Sequence, residues 1–251
     1  MIHLPHLETN ITTACQNSCV GCNHFIPMQK AEHLSPVVIE KDLKRLAEIV
    51  HVNRYALLGG EPLLHPKLLK ILDIAKKSGI ADKVEVITNG MKLKDMPPEF
   101  WKELDYLTIT LYPGKMTEEE VNNAVKLCEE NNVELELKPA EFTGLMYRKA
   151  SDSDVVMRRF IHCWYKTYSF VVDNGYFYRC CTSPFIPELI LGMPKETDGI
   201  ALEGLTEAGL DHYINQTMSI PQSCKVCASN MGPQIGWRET TRENWLGDSK
   251  I

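Results

Sequence analysis

The sequence predicts an α/β fold: a parallel sheet with crossover helices, followed by a small cysteine-rich module that contains a β-hairpin. Three observations predict it. Strand-like and helix-like stretches alternate from the N-terminus to about residue 138, the pattern of strands joined by crossover helices. The dipeptide Asn174-Gly175 separates two apolar runs and favours a tight type I′ turn. Eight of the nine cysteines fall in three tight groups, Cys15, Cys19 and Cys22, then Cys163, Cys180 and Cys181, then Cys224 and Cys227.

Taken in order, the strands are expected at Leu7 to Thr12, Arg54 to Leu58, Val84 to Thr88, Tyr106 to Leu111 and Val133 to Lys138, each short and rich in β-branched or large apolar residues. Between them, Ser35-Pro36 reads as an N-cap with proline at the first helical position, and Val38, Ile39, Leu43, Leu46, Ala47 and Val50 supply an apolar face. A second helix starts at Pro66, buries Leu68, Leu69, Leu72 and Ala75, and stops at Gly79. Thr117 with Glu120 forms a capping box for a third, whose inner side holds Val121, Ala124, Val125 and Cys128. Cys128, the lone cysteine, is thus a small core residue. Pro139 to Asp154 is polar and without period, a connection and candidate substrate-facing segment. The hairpin pairs Tyr168 to Asp173 with Tyr176 to Cys180, a helix is expected around Leu205 to Thr217, and the last thirty residues read as loop.

With 251 residues the chain suits one large domain or a domain with an appendage, here 1–155 and 156–251. Hydrophobic residues at 44% and charged ones at 24% exclude a disordered or collagen-like chain. A net charge of −6 disfavours nucleic acid as the main partner. No apolar run approaches the roughly 18 to 20 residues of a membrane span, and Met1 to Asn10 lacks the order of a signal peptide, so a cytoplasmic location and no membrane partner are expected. The odd cysteine count points to thiolates on a metal or in catalysis rather than to disulfides.

Cys15, Cys19 and Cys22 form a CxxxCxxC run just after the first strand. Three thiolates leave one of four ligand positions open; His24 can complete a zinc site, and an iron–sulfur cluster suits the residues equally well. After the second strand comes Leu58-Gly59-Gly60-Glu61-Pro62, where glycines allow close backbone approach and a carboxylate favours an ammonium group. The third strand ends in Thr88-Asn89-Gly90. With these motifs on successive strand ends, where parallel sheets place ligands, the chain resembles the radical S-adenosylmethionine (SAM) superfamily. That resemblance implies a partial (β/α)₆ radical SAM barrel and a [4Fe–4S] cluster on Cys15, Cys19 and Cys22. It also implies that Gly59, Gly60, Glu61 and Pro62 hold the amino group of SAM, with Thr88 and Asn89 at the rim. One departure is Gly21, where the family carries an aromatic residue near the adenine; Phe25 or a residue of the second half is the expected substitute.

In the second half, four thiolates brought together by a hairpin suit a cluster or a zinc. Their arrangement resembles the twitch domain, a truncated SPASM module that carries one further [4Fe–4S] cluster in 2-deoxy-scyllo-inosamine dehydrogenase and related radical SAM enzymes. The resemblance implies Cys163, Cys180, Cys224 and Cys227 as its ligands. Cys181 is then surplus: a buried thiol, the true ligand in place of Cys180, or a hydrogen-atom donor to a substrate radical, as in radical SAM epimerases. In the tail from Asn230 to Glu239, Arg238 is a candidate anion clamp against the alternative of surface packing, and Arg158 and Arg159 are phosphate candidates against solvated charge.

Two kinds of cofactor follow from the resemblance, SAM and a pair of [4Fe–4S] clusters, with a 5′-deoxyadenosyl radical that removes hydrogen from an unactivated carbon. An electron passed to the auxiliary cluster makes a ketone; a hydrogen atom returned by Cys181 makes an epimer. His24, Lys138 and Glu141, near expected strand ends, are the candidate bases. The expected substrate is a small carbohydrate, aminocyclitol or nucleotide-sugar, because the length leaves no room for a leader-binding domain; a peptide is the alternative. A flavodoxin or ferredoxin is the implied electron donor. The non-enzyme alternative is a zinc-stabilised interaction module.

Overall fold

The computed structural model describes residues 1–216, 219–229 and 232–251. The expected helix end at Thr217 and the tail's Asn230 and Met231 lie outside the described residues. One eight-stranded sheet organises the chain, in the order β5-β4-β3-β2-β1-β6-β7-β8. Its strands are β1 (Ile2–Thr12), β2 (Val50–Gly59), β3 (Ala81–Thr88), β4 (Tyr106–Leu111), β5 (Glu134–Pro139), β6 (Phe170–Asp173), β7 (Tyr176–Tyr178) and β8 (Gly199–Ala201). The first five are parallel neighbours in chain order, and β6 adds a sixth parallel strand beside β1, through Leu7 opposite Phe170 and Glu8 opposite Val171. The last two strands run antiparallel.

The crossovers are α1 (Pro36–Leu46), α2 (Leu68–Ser78), α3 (Pro98–Glu103) and α4 (Glu118–Asn131). Their boundaries follow the capping chemistry. The Ser35 hydroxyl accepts from the Val37 N–H, Gly79 ends α2 at φ 65°, and Thr117 and Glu120 form the reciprocal capping box. The helices bury Ile39, Leu43, Ile71, Leu72, Phe100 and Cys128 against Leu7, Ile11, Tyr55, Leu57, Val86 and Leu107 of the strands. That apolar layer is the main core.

The opposite face of the first strands is polar. With a period of two, His6, Glu8, Asn10 and Thr12 share one side of β1, and all four are buried. Across the sheet the same side carries Arg54, Glu85, Thr108 and Glu136, through the pairs His6 with Arg54, Ala56 with Glu85 and Thr108 with Glu136. A strand buried on both faces is ordinarily apolar throughout, so this side was built to line a polar interior.

After β5 come α5 (Ser153–Ile161) and α6 (Tyr165–Tyr168), then the hairpin β6–β7 with Asn174 and Gly175 at φ 47° and 85°, then α7 (Ile186–Leu191), α8 (Glu207–Asn215) and α9 (Arg242–Asp248). The expected boundary at 155/156 falls inside α5. The segment read as a connection pairs with the tail: the Gly144 N–H donates to the Pro233 carbonyl and the Ile251 N–H to the Met146 carbonyl. A second core of Phe25, Leu145, Met146, Phe185, Ile186, Val226 and Trp245 joins them. Among the described residues no helix is long and apolar enough to cross a membrane.

Candidate functional site

The first cysteine loop leaves β1 and is held from two sides. From the barrel, the Gly60 N–H donates to the Thr12 carbonyl and the Glu61 N–H to the Ala14 carbonyl, each at 2.7 Å. Contacts this close require glycine: a Cβ would lie 2.3 Å from the Thr12 oxygen at Gly59, whose φ is 133°, and 2.2 Å from the Ala14 oxygen at Gly60. From the C-terminus, Trp245 Nε1–H donates to the Cys19 carbonyl at 3.0 Å, Trp237 Nε1–H donates to Cys19 Sγ at 3.1 Å, and the Gly21 N–H reaches Ser249 Oγ. The tail is thus a strap across the loop. Arg238 within it lies at the surface near Asp248, not in the cavity, so it is no anion clamp.

The three thiols converge at the mouth of a cavity of about 360 Å³, which also reaches Gly59, Gly60, Thr88 and Asn89. Burial pushes Cys15 and Cys19 up to about 12 and Cys22 upward, with Cys22 adding to the first two. These sulfurs therefore ionise only against a cationic partner. Three sulfurs on an open cavity beside a bare glycine backbone fit a cluster with one unclaimed corner and a small ligand docked there. His24 lines the same cavity, but its ring packs on Phe185 and burial lowers its pKa, with Glu8 as its charged neighbour. Among the described residues no three His, Cys, Asp or Glu side chains close on a single metal ion.

Three expectations need correction. The Glu61 carboxylate is fully buried and already accepts from Leu63 N–H at 3.1 Å, Thr88 Oγ1–H at 2.6 Å and Asn89 N–H at 2.8 Å, so it pins the ends of β2 and β3 together instead of facing a ligand. Burial lifts its pKa to about 7 despite those donors. Pro62 is buried behind it. Phe25 packs against Phe185 and Trp245 in the second core and does not line the cavity. The departure at Gly21 has a local cause: its φ is 71° and a Cβ would lie 2.8 Å from the Thr143 oxygen, so no aromatic side chain fits there. Phe142, next to Gly21, lines the cavity in its place, with Tyr112 6.2 Å away.

In the second group, Cys180 is the electrostatic neighbour common to Cys163, Cys224 and Cys227. Burial is again the main cause of their raised pKa values, Cys163 to about 11. Cys181 is 1% exposed, takes Asn23 Nδ2–H at 3.6 Å, and has Cys180 and Cys227 among its electrostatic neighbours. Asn23 lines the cavity and Cys181 does not, although Cys181 neighbours the lining residues Glu8 and Ser169. Arg158 is exposed, and Arg159 donates to the Cys227 carbonyl at 3.3 Å while stacking on Tyr147, so neither faces the cavity.

Lys138 and Glu141 do line it. So do residues the sequence reading passed over: His6, Glu8, Arg54, Glu85, Trp164 and Tyr168. The signal for the first two is an alternating polar run along β1, His6, Glu8, Asn10 and Thr12, of which only His6 precedes the expected strand Leu7 to Thr12.

Comparison with known proteins agrees with this geometry. The Radical SAM superfamily model matches residues 9–114, which contain all three motifs. Probable GTP 3′,8-cyclase of Methanothermobacter marburgensis is 31% identical over 93 residues, 37% of this chain and 30% of that protein. GTP 3′,8-cyclase of Clostridium botulinum is 23% identical over 160 residues, 60% and 50%. The chain thus spans half or less of these curated relatives' length. Among solved structures, BtrN in complex with AdoMet and 2-DOIA superposes with a TM-score of 0.57 at 12% identity, covering 88% of this chain and 87% of that one. Native anSMEcpe with bound AdoMet gives 0.56 at 13% identity, covering 98% and 95%. At such identities the likeness is one of fold. The family match, which covers less than half of the chain, and the thiol loop, the glycine cradle and the strand-end Thr88-Asn89-Gly90 coincide, so residues 9–114 are similar to the radical SAM superfamily.

Proposed function

We propose that the protein is a radical SAM oxidoreductase that takes hydrogen from a carbon of a small hydroxyl-bearing molecule, a carbohydrate, aminocyclitol or nucleotide-sugar, and yields the ketone. The observation that carries this reading is the single cavity that joins the three thiols to the polar interior of the sheet. A [4Fe–4S] cluster with SAM supplies 5′-deoxyadenosyl radical chemistry when bound. The chain's own residues do the rest. Cys15, Cys19 and Cys22 would hold the cluster, the backbone at Gly59 and Gly60 would receive SAM, and Phe142 stands where the family's adenine contact is missing. The tail strap and the second core keep bulk water from the loop, so a reactive species meets only the bound substrate.

Cys163, Cys180, Cys224 and Cys227 are proposed to hold a second [4Fe–4S] cluster, with Cys180 rather than Cys181 as the ligand because Cys180 is the electrostatic neighbour common to the other three. Cys181, set back from the cavity, favours oxidation over epimerisation. Lys138 and Glu141 are proposed proton acceptors for a hydroxyl, and a flavodoxin or ferredoxin the reductant.

Anaerobic reconstitution tests the reading. The protein should bind about eight iron atoms per chain and form 5′-deoxyadenosine from SAM on reduction. A colourless protein holding zinc, with no 5′-deoxyadenosine, would end it. In deuterated water a ketone product acquires no solvent deuterium from a thiol, whereas an epimer would.

A further inference from the structure

The deep end of the cavity carries a charged network that the proposed chemistry at the cysteine loop does not use. His6 Nδ1 lies 3.3 Å from Glu8 Oε1 and His6 Nε2 3.4 Å from Glu85 Oε2, while Arg54 approaches the same Glu85 oxygen at 3.6 Å. Ser169 Oγ–H donates to Glu8 at 2.5 Å and Thr108 Oγ1–H to Glu85 at 2.6 Å. Arg54 also donates to the Tyr168 hydroxyl. A column of stacked rings runs alongside, from the half-exposed Trp164 to Tyr168 at 5.0 Å and from Tyr168 to His6 at 4.8 Å.

Two features of this floor bear on what it binds. Burial opposes charge on His6, and the two carboxylates outweigh it and raise its pKa. The cavity holds the basic side chains His6, Arg54 and Lys138 beside the acidic Glu8, Glu85 and Glu141. Basic groups do not outnumber acidic ones, so no surplus positive charge is present to neutralise a triphosphate or a dicarboxylate. Secondly, His6 Nδ1 and Glu85 Oε2 are buried without a well-aligned hydrogen bond even though opposite charges lie nearby. Such groups retain capacity for a ligand atom that both donates and accepts.

We propose that His6, Glu8, Arg54 and Glu85 form a substrate subsite for a hydroxyl-rich ring that carries no phosphate or carboxylate, with Trp164, at the open end of the stacked column, as its aromatic wall. Hydroxyls both donate and accept, so they can bridge alternating carboxylates and cations without leaving either unmatched. The aromatic wall supplies apolar area for the ring's face, as in other pockets that combine a few placed polar groups with aromatic lining. This assignment rests on the small-molecule reading above and narrows it away from nucleotide triphosphates, the substrate in the names of the curated relatives.

The test is isothermal titration calorimetry on the anaerobic, cluster-loaded, SAM-saturated and unreduced protein, with myo-inositol, scyllo-inosamine and GTP as probes. At least one cyclitol should bind saturably and more tightly than GTP. Glu8→Gln and Trp164→Ala should each weaken that binding by about tenfold, the effect of one lost charged hydrogen bond or buried contact. Trp164 is 53% exposed, so its replacement leaves the core intact and keeps the test valid if Glu8→Gln fails to fold. GTP binding more tightly, neither cyclitol binding, or equal affinity in Trp164→Ala would overturn the subsite. Formation of 5′-deoxyadenosine by the same preparation separates the two levels: if it forms while cyclitols do not bind, the subsite alone is wrong, and if it does not form, the reading of the whole site fails.

Discussion

The two cysteine groups reach their places by different routes. Cys15, Cys19 and Cys22 sit in one loop, and their spacing alone brings three sulfurs to one cavity; glycine backbone and the C-terminal strap only fix the loop's position. Cys163, Cys180, Cys224 and Cys227, proposed as a second ligand set, come from separate segments, after α5, after β7 and after α8, and become neighbours only once the sheet has added β6 beside β1. A metal group on the first set would ride on a framework that already folds. On the proposed second set it would tie the framework together, so that its binding energy would also be folding energy.

The largest expected effect breaks the first region. Cys15→Ala should lower 5′-deoxyadenosine formation by more than about a thousandfold, roughly 4 kcal/mol of lost catalysis, and halve the iron content. The melting temperature should change little, because the main core lies on the other face of β1. A large thermal loss would mean that both groups are structural.

Cys227→Ala should also halve the iron, but with the opposite balance. Stability is expected to fall by about 2–5 kcal/mol, read from thermal or urea unfolding, while SAM cleavage without substrate largely persists. Loss of cleavage in proportion to Cys15→Ala would erase the distinction.

Between these stands the glycine cradle. Gly60→Ala puts a Cβ where the Ala14 carbonyl already is, 2.2 Å away, and backbone cannot yield as a flexible side chain does. The cost should be about 1–3 kcal/mol, with a weaker apparent affinity for SAM in equilibrium dialysis. Glu61 gives the cradle a pH signature. Its folded pKa of about 7 lies above the ordinary 4.5, so the native state holds the proton more tightly than the unfolded chain. Its contribution to stability is therefore full below 4.5 and is lost as pH rises through 7, by an amount on the order of 3 kcal/mol. In Glu61→Gln the stability curve should flatten across that window.

How much of this was legible in sequence depends on how local the cause is. Caps and turns were readable because each is written within a few residues: Ser35-Pro36, Thr117 with Glu120, Asn174-Gly175. So was the first thiol loop. The polar floor was not, since Arg54, Glu85 and Trp164 meet His6 only through the sheet's register and the return of α6 to β1. Glu61 misled for a related reason: a carboxylate after two glycines reads as a ligand, and only the folded β3 end shows that Thr88 and Asn89 claim it first. The strap was missed because the pairing of Val20 with Arg238 and of Ser18 with Thr240 joins opposite ends of the chain.

The smallest expected effect belongs to the one cysteine outside both groups, and it calibrates the others. Cys128 is 1% exposed on α4, in contact with the main core, and belongs to neither thiol cluster. Burial raises its pKa to about 11, with Glu129 adding, so it stays a neutral thiol and behaves as a small apolar side chain. Cys128→Ala removes one buried sulfur and should cost about 1 kcal/mol, at the low end for a large-to-small core change because so little volume is lost. Iron content and 5′-deoxyadenosine formation should match the unaltered protein. Were Cys128→Ala to lose iron, cysteine content in general rather than position would govern cluster loading, and the contrast between a spacing-built site and a fold-built site could no longer be read from the other two variants.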